Sequence, residues 1–335
     1  MNSELQKREN MAKTYIIAEV GSNHNGSFDL AKKYLEELKE SGVDAIKFQL
    51  CDPNKLLSLE LKDKLTEVRE RQLSREHHKK LKKLCDNMHI DYLCSAFDLE
   101  SLKFLNEEIN IKKFKIPSGE IFSLDILDYI SKKNKPIILS TGMATLDDIQ
   151  KSLTYLNNGA DKDITILHCV SNYPTETENV NLKIMLELKK KFKYKVGFSD
   201  HTESNYSSLT AVAMGASIIE KHVTLDKELK GPDHKSSSTI DEFKDLVKLI
   251  RKTEAIMGVS DKKISKKEKE VSDFARKSIV AKNKILQGQI IKEKDIVFKR
   301  PGTGILPIEK GTVIGKKAVK KIDANKLIKK EYLES

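Results

Sequence analysis

Two histidines near the ends of neighbouring apolar runs have the spacing of a metal site. His201 follows the run 195–199, and His222 stands two residues after Glu220 in the next run. Two neutral imidazoles with open water positions suit a divalent Lewis acid such as Mn²⁺ or Zn²⁺. Glu220 is then either a further ligand or a group that orients a histidine. The alternative is a pair of hydrogen-bonded histidines with a structural role only.

Two lysines on predicted strands indicate an anion site. Lys47 and Lys115 are predicted to point into an apolar interior, where an ammonium group is costly unless an anion compensates it. Hydroxyl groups at nearby strand ends would complete a phosphate or carboxylate socket. These are Ser95, Ser118, Ser140 and Ser199. Two alternatives stay open: one lysine is a Schiff-base nucleophile, or each lysine simply pairs with Glu19 or Glu120.

Carboxylates near the same strand ends complete the predicted site. Glu120 is a candidate general acid/base, and Glu19 and Asp233 could accept hydrogen bonds from a polyhydroxylated substrate. An anion socket, a divalent metal and such carboxylates suit a reaction that joins a phosphorylated three-carbon unit to a carbonyl compound. In that reaction the metal would polarise the carbonyl oxygen.

The elements that must position these residues are short β-type runs alternating with amphipathic helical segments. Eight alternations over about 245 residues predict a (β/α)₈ barrel, an α/β fold. Each run carries polar residues at its C-terminal end, where such barrels place their chemistry. A doubly wound open sheet would normally show GxGxxG after the first strand, and this motif is absent. The predicted strands are 14–20, 45–50, 91–97, 113–117, 136–141, 164–171, 195–199 and 217–223.

Composition excludes several classes of protein. The chain has 335 residues, 39% hydrophobic and 33% charged, which is enough apolar material for a core and excludes global disorder. No apolar run approaches the ~20 residues of a membrane span, and the N-terminus lacks the apolar region of a secretory signal. The cysteines are scattered without a CxxC motif. This pattern predicts a reduced, cytoplasmic protein without a disulfide framework.

The net charge of +11 lies entirely in the C-terminal quarter. Residues 259–335 contain 21 Lys/Arg and 10 Asp/Glu. This segment lacks aromatic interleaving and nucleic-acid-binding motifs. We therefore favour a lysine-rich face near an anionic active site over a nucleic-acid-binding tail, and we expect neither a nucleic-acid nor a membrane partner.

The chain is predicted to divide into a barrel at 11–258, a charged linker at 259–275 and a second domain at 276–335. The linker is mainly helical. The second domain is near the lower size limit for independent folding, so we expect it to lean on the barrel or on a partner chain. Its predicted β-like runs are 278–281, 289–291, 296–299, 302–304 and 311–314.

Nine segments, in order along the chain from about residue 14, resemble the sialic acid synthase family, which includes the N-acetylneuraminate, legionaminic acid and pseudaminic acid synthases. The tail resembles the family's mainly-β antifreeze-like (SAF) domain. The segments are IIAEVGSNHNG (16–26), AIKFQ (45–49), KIPSGEI (115–121), ILSTGMA (138–144), LHCVSNYPT (167–175), VGFSDHT (196–202), IEKHVTLD (219–226), GPDHKSS (231–237) and KRPGTGI (299–305).

The resemblance implies condensation of phosphoenolpyruvate with an N-acylated hexosamine of the N-acetylmannosamine type. Carbon 3 of phosphoenolpyruvate would attack the aldehyde, water would add at carbon 2, and phosphate would leave by C–O cleavage. His201 and His222 would hold Mn²⁺, and Glu120 would act as acid/base. Phosphoenolpyruvate would contact Lys47, Ser95, Lys115, Ser118, Ser140 and Ser199. The sugar would face Glu19, Gln49, Tyr173, Asp233 and, in a domain-swapped homodimer, Arg300 of the partner subunit.

Three departures from the family pattern concern the substrate. Cys94-Ser95-Ala96-Phe97 replaces the common Ser-Thr-Pro-Phe, and Ser171 stands where some members have asparagine. The segment 50–73, which borders the predicted site, is shorter than in many members. The GPDHK sequence favours the neuraminate and legionaminate branches over pseudaminate, but the acceptor sugar stays open.

Two other functions compete with this interpretation. A lysine Schiff-base aldolase of the pyruvate type would be trapped by borohydride at Lys47 or Lys115 and would need no metal. A non-catalytic carbohydrate- or ice-binding protein would use the basic tail. Against the latter, the predicted barrel keeps every charged position that the condensation needs.

Overall fold

The computed structural model describes residues 13–259 and 261–334. The chain divides into two compact units, Met1–Val259 and Ser260–Ser335. Residues 1–12, for which the sequence predicts no secretory signal, lie outside the described residues. No helix in the described part of the chain is long and apolar enough to cross a bilayer.

Eight parallel strands form a closed barrel in the first unit. Each strand pairs with the next along the chain, and the eighth pairs with the first. The (β/α)₈ prediction is therefore confirmed, and every strand bound lies within two residues of the predicted one. The strands are β1 (Tyr15–Gly21), β2 (Ala45–Leu50), β3 (Asp91–Ala96), β4 (Phe114–Ile116), β5 (Ile137–Ser140), β6 (Ile164–Cys169), β7 (Lys195–Asp200) and β8 (Ile218–Thr224).

Amphipathic helices surround the barrel, and three of them lie between β2 and β3. Their starts follow ordinary capping rules: Ser27 and Ser74 accept from backbone N–H groups, and Thr239 forms a capping box with Glu242. A short strand, β9 (Ser238–Thr239), extends the pairing beside β8. The helices are α1 (Phe28–Leu38), α2 (Pro53–Leu56), α3 (Lys62–Glu70), α4 (Arg75–Asn87), α5 (Leu99–Glu107), α6 (Leu124–Ser131), α7 (Leu146–Asn157), α8 (Lys183–Phe192), α9 (Tyr206–Ala213) and α10 (Ile240–Met257).

Inside the barrel, an apolar layer is followed by a polar layer two residues further along the strands. The apolar layer contains Ile17, Ala45, Leu93, Ile138, Leu167 and Ile218. The polar layer contains Glu19, Lys47, Ser95, Ser140, Cys169 and Glu220. Because side chains alternate with period 2, residues two apart face the same side of a strand. The barrel therefore presents its polar residues at the C-terminal mouth, above an apolar floor.

The second unit has its own core and less regular structure than predicted. It comprises α11 (Lys266–Ala275) and the antiparallel strands β10 (Ser278–Ala281) and β11 (Ile296–Lys299). The predicted runs 289–291, 302–304 and 311–314 are not strands. Ile290 forms only an isolated bridge with Lys317. Frequent Gly and Pro residues interrupt these runs, so they form single bridges and turns rather than ladders.

Candidate active site

Four oppositely charged side chains meet at the C-terminal mouth of the barrel. The Nζ atom of Lys47 lies 3.2 Å from Glu19 Oε1 and 3.4 Å from Glu220 Oε2. Lys115 Nζ lies 3.8 Å from Glu220 Oε1. All four residues are buried. The pairing of a lysine with Glu19, which the sequence left open, is thus present, and Glu220 joins both lysines.

Burial and pairing give these four groups unequal proton affinities. Burial raises the pKa of Glu19 to about 7, although Lys47 opposes this shift. Burial opposes ionisation of Glu220, but Lys115 and Lys47 hold its pKa at about 2. Burial lowers the pKa of Lys115 to about 8. Burial also acts to lower the pKa of Lys47, but the carboxylates of Glu19 and Glu220 together outweigh it, so this pKa is raised. Glu19 is therefore the carboxyl group best suited to exchange a proton near neutral pH.

Hydroxyl groups surround the two lysines. Lys115 Nζ donates to Ser140 Oγ at 2.7 Å, and Lys47 Nζ lies 3.4 Å from Ser95 Oγ. Ser199 Oγ donates to Glu220 at 3.1 Å. Except for Ser95, these groups border a cavity of about 340 Å³. Charged and hydroxyl donors that converge on one cavity form a site for a small anion.

Gly142 packs closely against residues that line this cavity. Its N–H donates to Ser118 Oγ at 3.0 Å. A Cβ atom at this position would lie 2.2 Å from Ser171 Oγ and 2.8 Å from Cys169 Sγ. A side chain there would displace groups that border the cavity, so the glycine is required by close packing.

The two histidines lie together and line the same cavity. Their ring centroids are 5.6 Å apart, and the Tyr173 ring lies 4.2 Å from that of His201. Burial lowers the pKa of both, to about 4 for His201. His201 Nδ1 donates to the carbonyl of Val170 at 2.7 Å, which leaves Nε2 unprotonated. His222 Nδ1 is buried without a hydrogen-bond partner.

This pair fits a divalent metal, but only with help from other ligands. Both imidazoles are neutral near pH 7, as metal ligands must be, and the unpartnered His222 nitrogen is available. Among residues 13–259 and 261–334, no three His, Cys, Asp or Glu side chains converge as a metal-binding group. Oxygen atoms of water or substrate would have to complete the coordination, as in catalytic sites that keep open positions.

A buried ion pair behind the histidines connects the strands that carry them. Lys221 Nζ lies 3.1 Å from Asp200 Oδ2, and the two side chains are 1% and 0% exposed. Lys221 also donates to the carbonyl of Thr202 at 2.6 Å. Each partner is next to a site histidine in sequence, so the pair fixes the ends of β7 and β8 relative to each other.

Most of the predicted site residues line the central cavity. Ten of them do so: Glu19, Lys47, Gln49, Lys115, Ser118, Ser140, Tyr173, Ser199, His201 and His222. Ser95 contacts Lys47. Asp233 is half-buried. Its carboxylate partly offsets the lowering of the His222 pKa by burial.

Two predicted residues lie elsewhere. Glu120 accepts a hydrogen bond from Ser123 and lines a neighbouring cavity that also contains Asp98 and Asp125. Its acid/base role stays a prediction. Arg300 belongs to the second unit, where its Nε donates to the carbonyl of Ala275 at 2.9 Å.

The sequence indicates Glu220 only as a possible metal ligand or as a group that orients a histidine. In the structure it pairs with both lysines. The signal was its position two residues before His222, which places both on the inner face of β8. Cys169 and Phe97 also border the cavity. Neither residue type by itself indicates a place in a binding site.

A cluster of paired charges at the mouth of a (β/α)₈ barrel is typical of an enzyme. Comparison with known protein families agrees that the chain is an enzyme and also identifies its family. The chain belongs to the NeuB family, whose model matches residues 34–262, and a SAF domain matches residues 276–334. The protein is therefore an enzyme of the sialic acid synthase class, as its motifs predicted.

Full-length relatives support this assignment. The chain is 44% identical to an N,N'-diacetyllegionaminic acid synthase of Campylobacter jejuni, over 95% of this chain and 100% of the relative. It is 36% identical to the Legionella pneumophila enzyme of the same name, over 96% and 95%. A crystal structure of N-acetylneuraminic acid (sialic acid) synthetase from Leptospira borgpetersenii superposes with a TM-score of 0.73 at 30% identity, covering 77% of this chain and 90% of that one.

Proposed function

We propose that the enzyme condenses phosphoenolpyruvate with a 2,4-diacetamido-2,4,6-trideoxy sugar aldehyde of the mannose type, giving N,N'-diacetyllegionaminic acid and phosphate. The pair of buried lysines with surrounding serines carries the proposal, because two cations and several hydroxyl donors at one cavity suit a small anion that bears carboxylate and phosphate. The names of two full-length relatives supply the class of acceptor.

The reaction forms one C–C bond and breaks one C–O bond. The enol π electrons at carbon 3 attack the aldehyde carbon, and the aldehyde oxygen gains a proton. Water adds at carbon 2 and loses a proton, which leaves a hydroxyl group there. The bond from carbon 2 to the phosphate oxygen then breaks, the hydroxyl oxygen forms the C=O bond of the 2-oxo acid, and its proton leaves with the phosphate. Glu19, with a pKa of about 7, can give a proton at one step and accept one at another.

The other groups bind and orient the substrates. Lys47 and Lys115 would hold the phosphate and carboxylate of phosphoenolpyruvate, while Gln49, Tyr173 and Asp233 would face the sugar. His201 and His222 would hold Mn²⁺, which when bound supplies Lewis-acid polarisation of the aldehyde oxygen. The raised pKa of Glu19 reduces the negative charge that opposes an incoming anion near neutral pH.

We also propose that the active form is a domain-swapped homodimer in the cytoplasm. Arg300 of the partner subunit would contact the N-acyl side of the sugar. Arg300 belongs to the compact unit Ser260–Ser335 and not to the unit whose residues line the cavity, and the proposal brings it to the cavity of a partner subunit. The cysteines at positions 51, 85, 94 and 169 are free and buried, which suits a reducing compartment.

Phosphate release from phosphoenolpyruvate tests this proposal. The assay contains Mn²⁺, with and without chelator, and one of three acceptors: N-acetylmannosamine, its 6-phosphate or the 2,4-diacetamido sugar. We expect release that depends on acceptor and is abolished by chelator. Folded protein that releases no phosphate with any acceptor would refute the proposal.

The lowered pKa of Lys115 also favours one alternative. A desolvated lysine beside a second lysine is the arrangement of Schiff-base enzymes. Borohydride treatment in the presence of pyruvate would trap a covalent adduct at Lys115 if this alternative were correct. We expect no adduct by mass spectrometry, because the condensation never forms an imine.

A further inference from the structure

A second cavity of about 200 Å³ adjoins the central one at the barrel mouth. Gln49 and Phe97 border both cavities, so the two spaces meet at these side chains. The second cavity lies between the end of β2 and the helices α2 and α3. Much of its wall is apolar: Leu50, Cys51, Leu56, Val68 and Phe97.

Close packing and hydrogen bonds fix the walls of this cavity. Gln72 Oε1 accepts from the N–H of Cys51 at 3.0 Å. Gly26, with a φ of +76°, packs against the end of α3 so closely that a Cβ would lie 2.1 Å from the carbonyl of Glu70. The loop after β1 thus holds α3 against the mouth, and the cavity is largely preformed.

Charge in the cavity limits what it can bind. Arg71 is the cation among the lining residues, and its Nη2 donates to Glu67 Oε1 at 2.5 Å. A single guanidinium, with no second cation in the lining of this cavity, is a weaker site for a phosphate dianion than the two lysines of the central cavity. Its other N–H groups can still donate to a neutral carbonyl oxygen. An apolar wall with one such donor fits an acylamino group and a methyl group.

The orientation of the sugar follows from Gly21, which lies beside both His222 and Gln49. A Cβ on Gly21 would lie 3.2 Å from Gln49 Nε2 and 3.3 Å from His222 Cε1. The histidine side would hold the aldehyde. A chain-form sugar extending from His222 past Gln49 therefore directs its far carbons toward the second cavity.

We propose that this cavity, bordered by Leu56, Val68 and Arg71, receives the 4-acylamino group and the 6-methyl end of the acceptor. It thereby selects a 2,4-diacylamino-6-deoxy sugar over N-acetylmannosamine and over its 6-phosphate. This inference rests on the proposed function, since it assigns the part of the acceptor that lies away from the reacting aldehyde.

Filling the cavity tests the assignment. Val68→Phe should lower kcat/KM for the 2,4-diacetamido sugar at least about tenfold, because small volume changes in an apolar pocket change kcat/KM by about that factor. The variant should lower kcat/KM for N-acetylmannosamine by a smaller factor, because a 4-hydroxyl group occupies less of the cavity than a 4-acylamino group, and it should leave the KM for phosphoenolpyruvate unchanged. Leu59→Phe is the matched control, because Leu59 lies in the same segment between β2 and β3 but is 85% exposed. If circular dichroism shows that Val68→Phe is misfolded, Leu56→Phe at the rim replaces it.

The outcomes separate the two proposals. A wild-type preference for the diacetamido sugar that Val68→Phe removes would support the cavity assignment. Equal losses with both sugars, or a wild-type enzyme that prefers N-acetylmannosamine or its phosphate, would overturn that assignment while the condensation stands. Absence of phosphate release with all three acceptors would refute the proposed function itself, and the assignment with it.

Discussion

Lys115→Met removes the charge of one socket lysine while preserving much of its shape. In the wild type, Lys115 Nζ is buried, donates to Ser140 Oγ at 2.7 Å and lies 3.8 Å from Glu220. A charge-assisted hydrogen bond to a substrate oxygen is worth about 1.5–3 kcal/mol. At the upper end, kcat/KM for phosphoenolpyruvate should fall about 150-fold.

The assay is steady-state phosphate release at saturating acceptor and Mn²⁺, with phosphoenolpyruvate varied. We expect the KM for phosphoenolpyruvate to account for most of the loss, because the lysine binds the substrate before the reaction. Lys151→Met is the matched control, since Lys151 is an exposed lysine on α7 paired with Asp147. Unchanged KM and kcat in Lys115→Met would refute the assignment of the socket.

The same lysine predicts the pH dependence of the wild type. With a pKa of about 8, Lys115 is charged below that pH and neutral above it. The kcat/KM for phosphoenolpyruvate should therefore fall by about tenfold per pH unit once the pH exceeds 8. Lys115→Arg keeps its charge and should extend the plateau to higher pH. A wild-type profile that stays flat to pH 9.5 would contradict this reasoning.

Two further predictions concern the histidine strands and the second unit. Asp200→Asn leaves the buried Lys221 without its counterion and should lower the free energy of unfolding by about 3–5 kcal/mol. Urea denaturation measures this change, and a loss below about 1 kcal/mol would show that the pair does not hold β7 and β8 together. Mixed dimers of His222→Ala and Arg300→Ala subunits should recover about a quarter of wild-type activity, because half of the dimers would hold one intact site. No recovery in verified heterodimers would exclude a site shared between subunits.

The barrel could be predicted because its signals are local. Each strand is a short apolar run, and the alternation of strands and helices fixes the fold class without knowledge of tertiary contacts. Period 2 within β2 and β8 then placed Lys47 with Gln49 and Glu220 with His222 on inner faces. The convergence of the socket residues followed from the rule that the C-terminal ends of barrel strands meet.

Features that depend on turns and packing could not be predicted in this way. The direction of Glu120 is set by the short 3₁₀ turn Ser118–Glu120, which directs its carboxylate toward Ser123. The pKa of Glu19 depends on burial that only the closed barrel creates. Near Val68, the second cavity exists because α3 packs against the loop after β1, a contact between segments far apart in sequence.

The central claim is that this barrel joins phosphoenolpyruvate to a sugar aldehyde with cleavage of the C–O bond. The most direct measurement uses phosphoenolpyruvate labelled with ¹⁸O at the oxygen that bridges carbon 2 and phosphorus, together with the 2,4-diacetamido sugar and Mn²⁺. Mass spectrometry of both products locates the label. We predict labelled phosphate and an unlabelled nonulosonic acid. Unlabelled phosphate with the label retained on carbon 2, or no phosphate release from folded enzyme, would contradict the account.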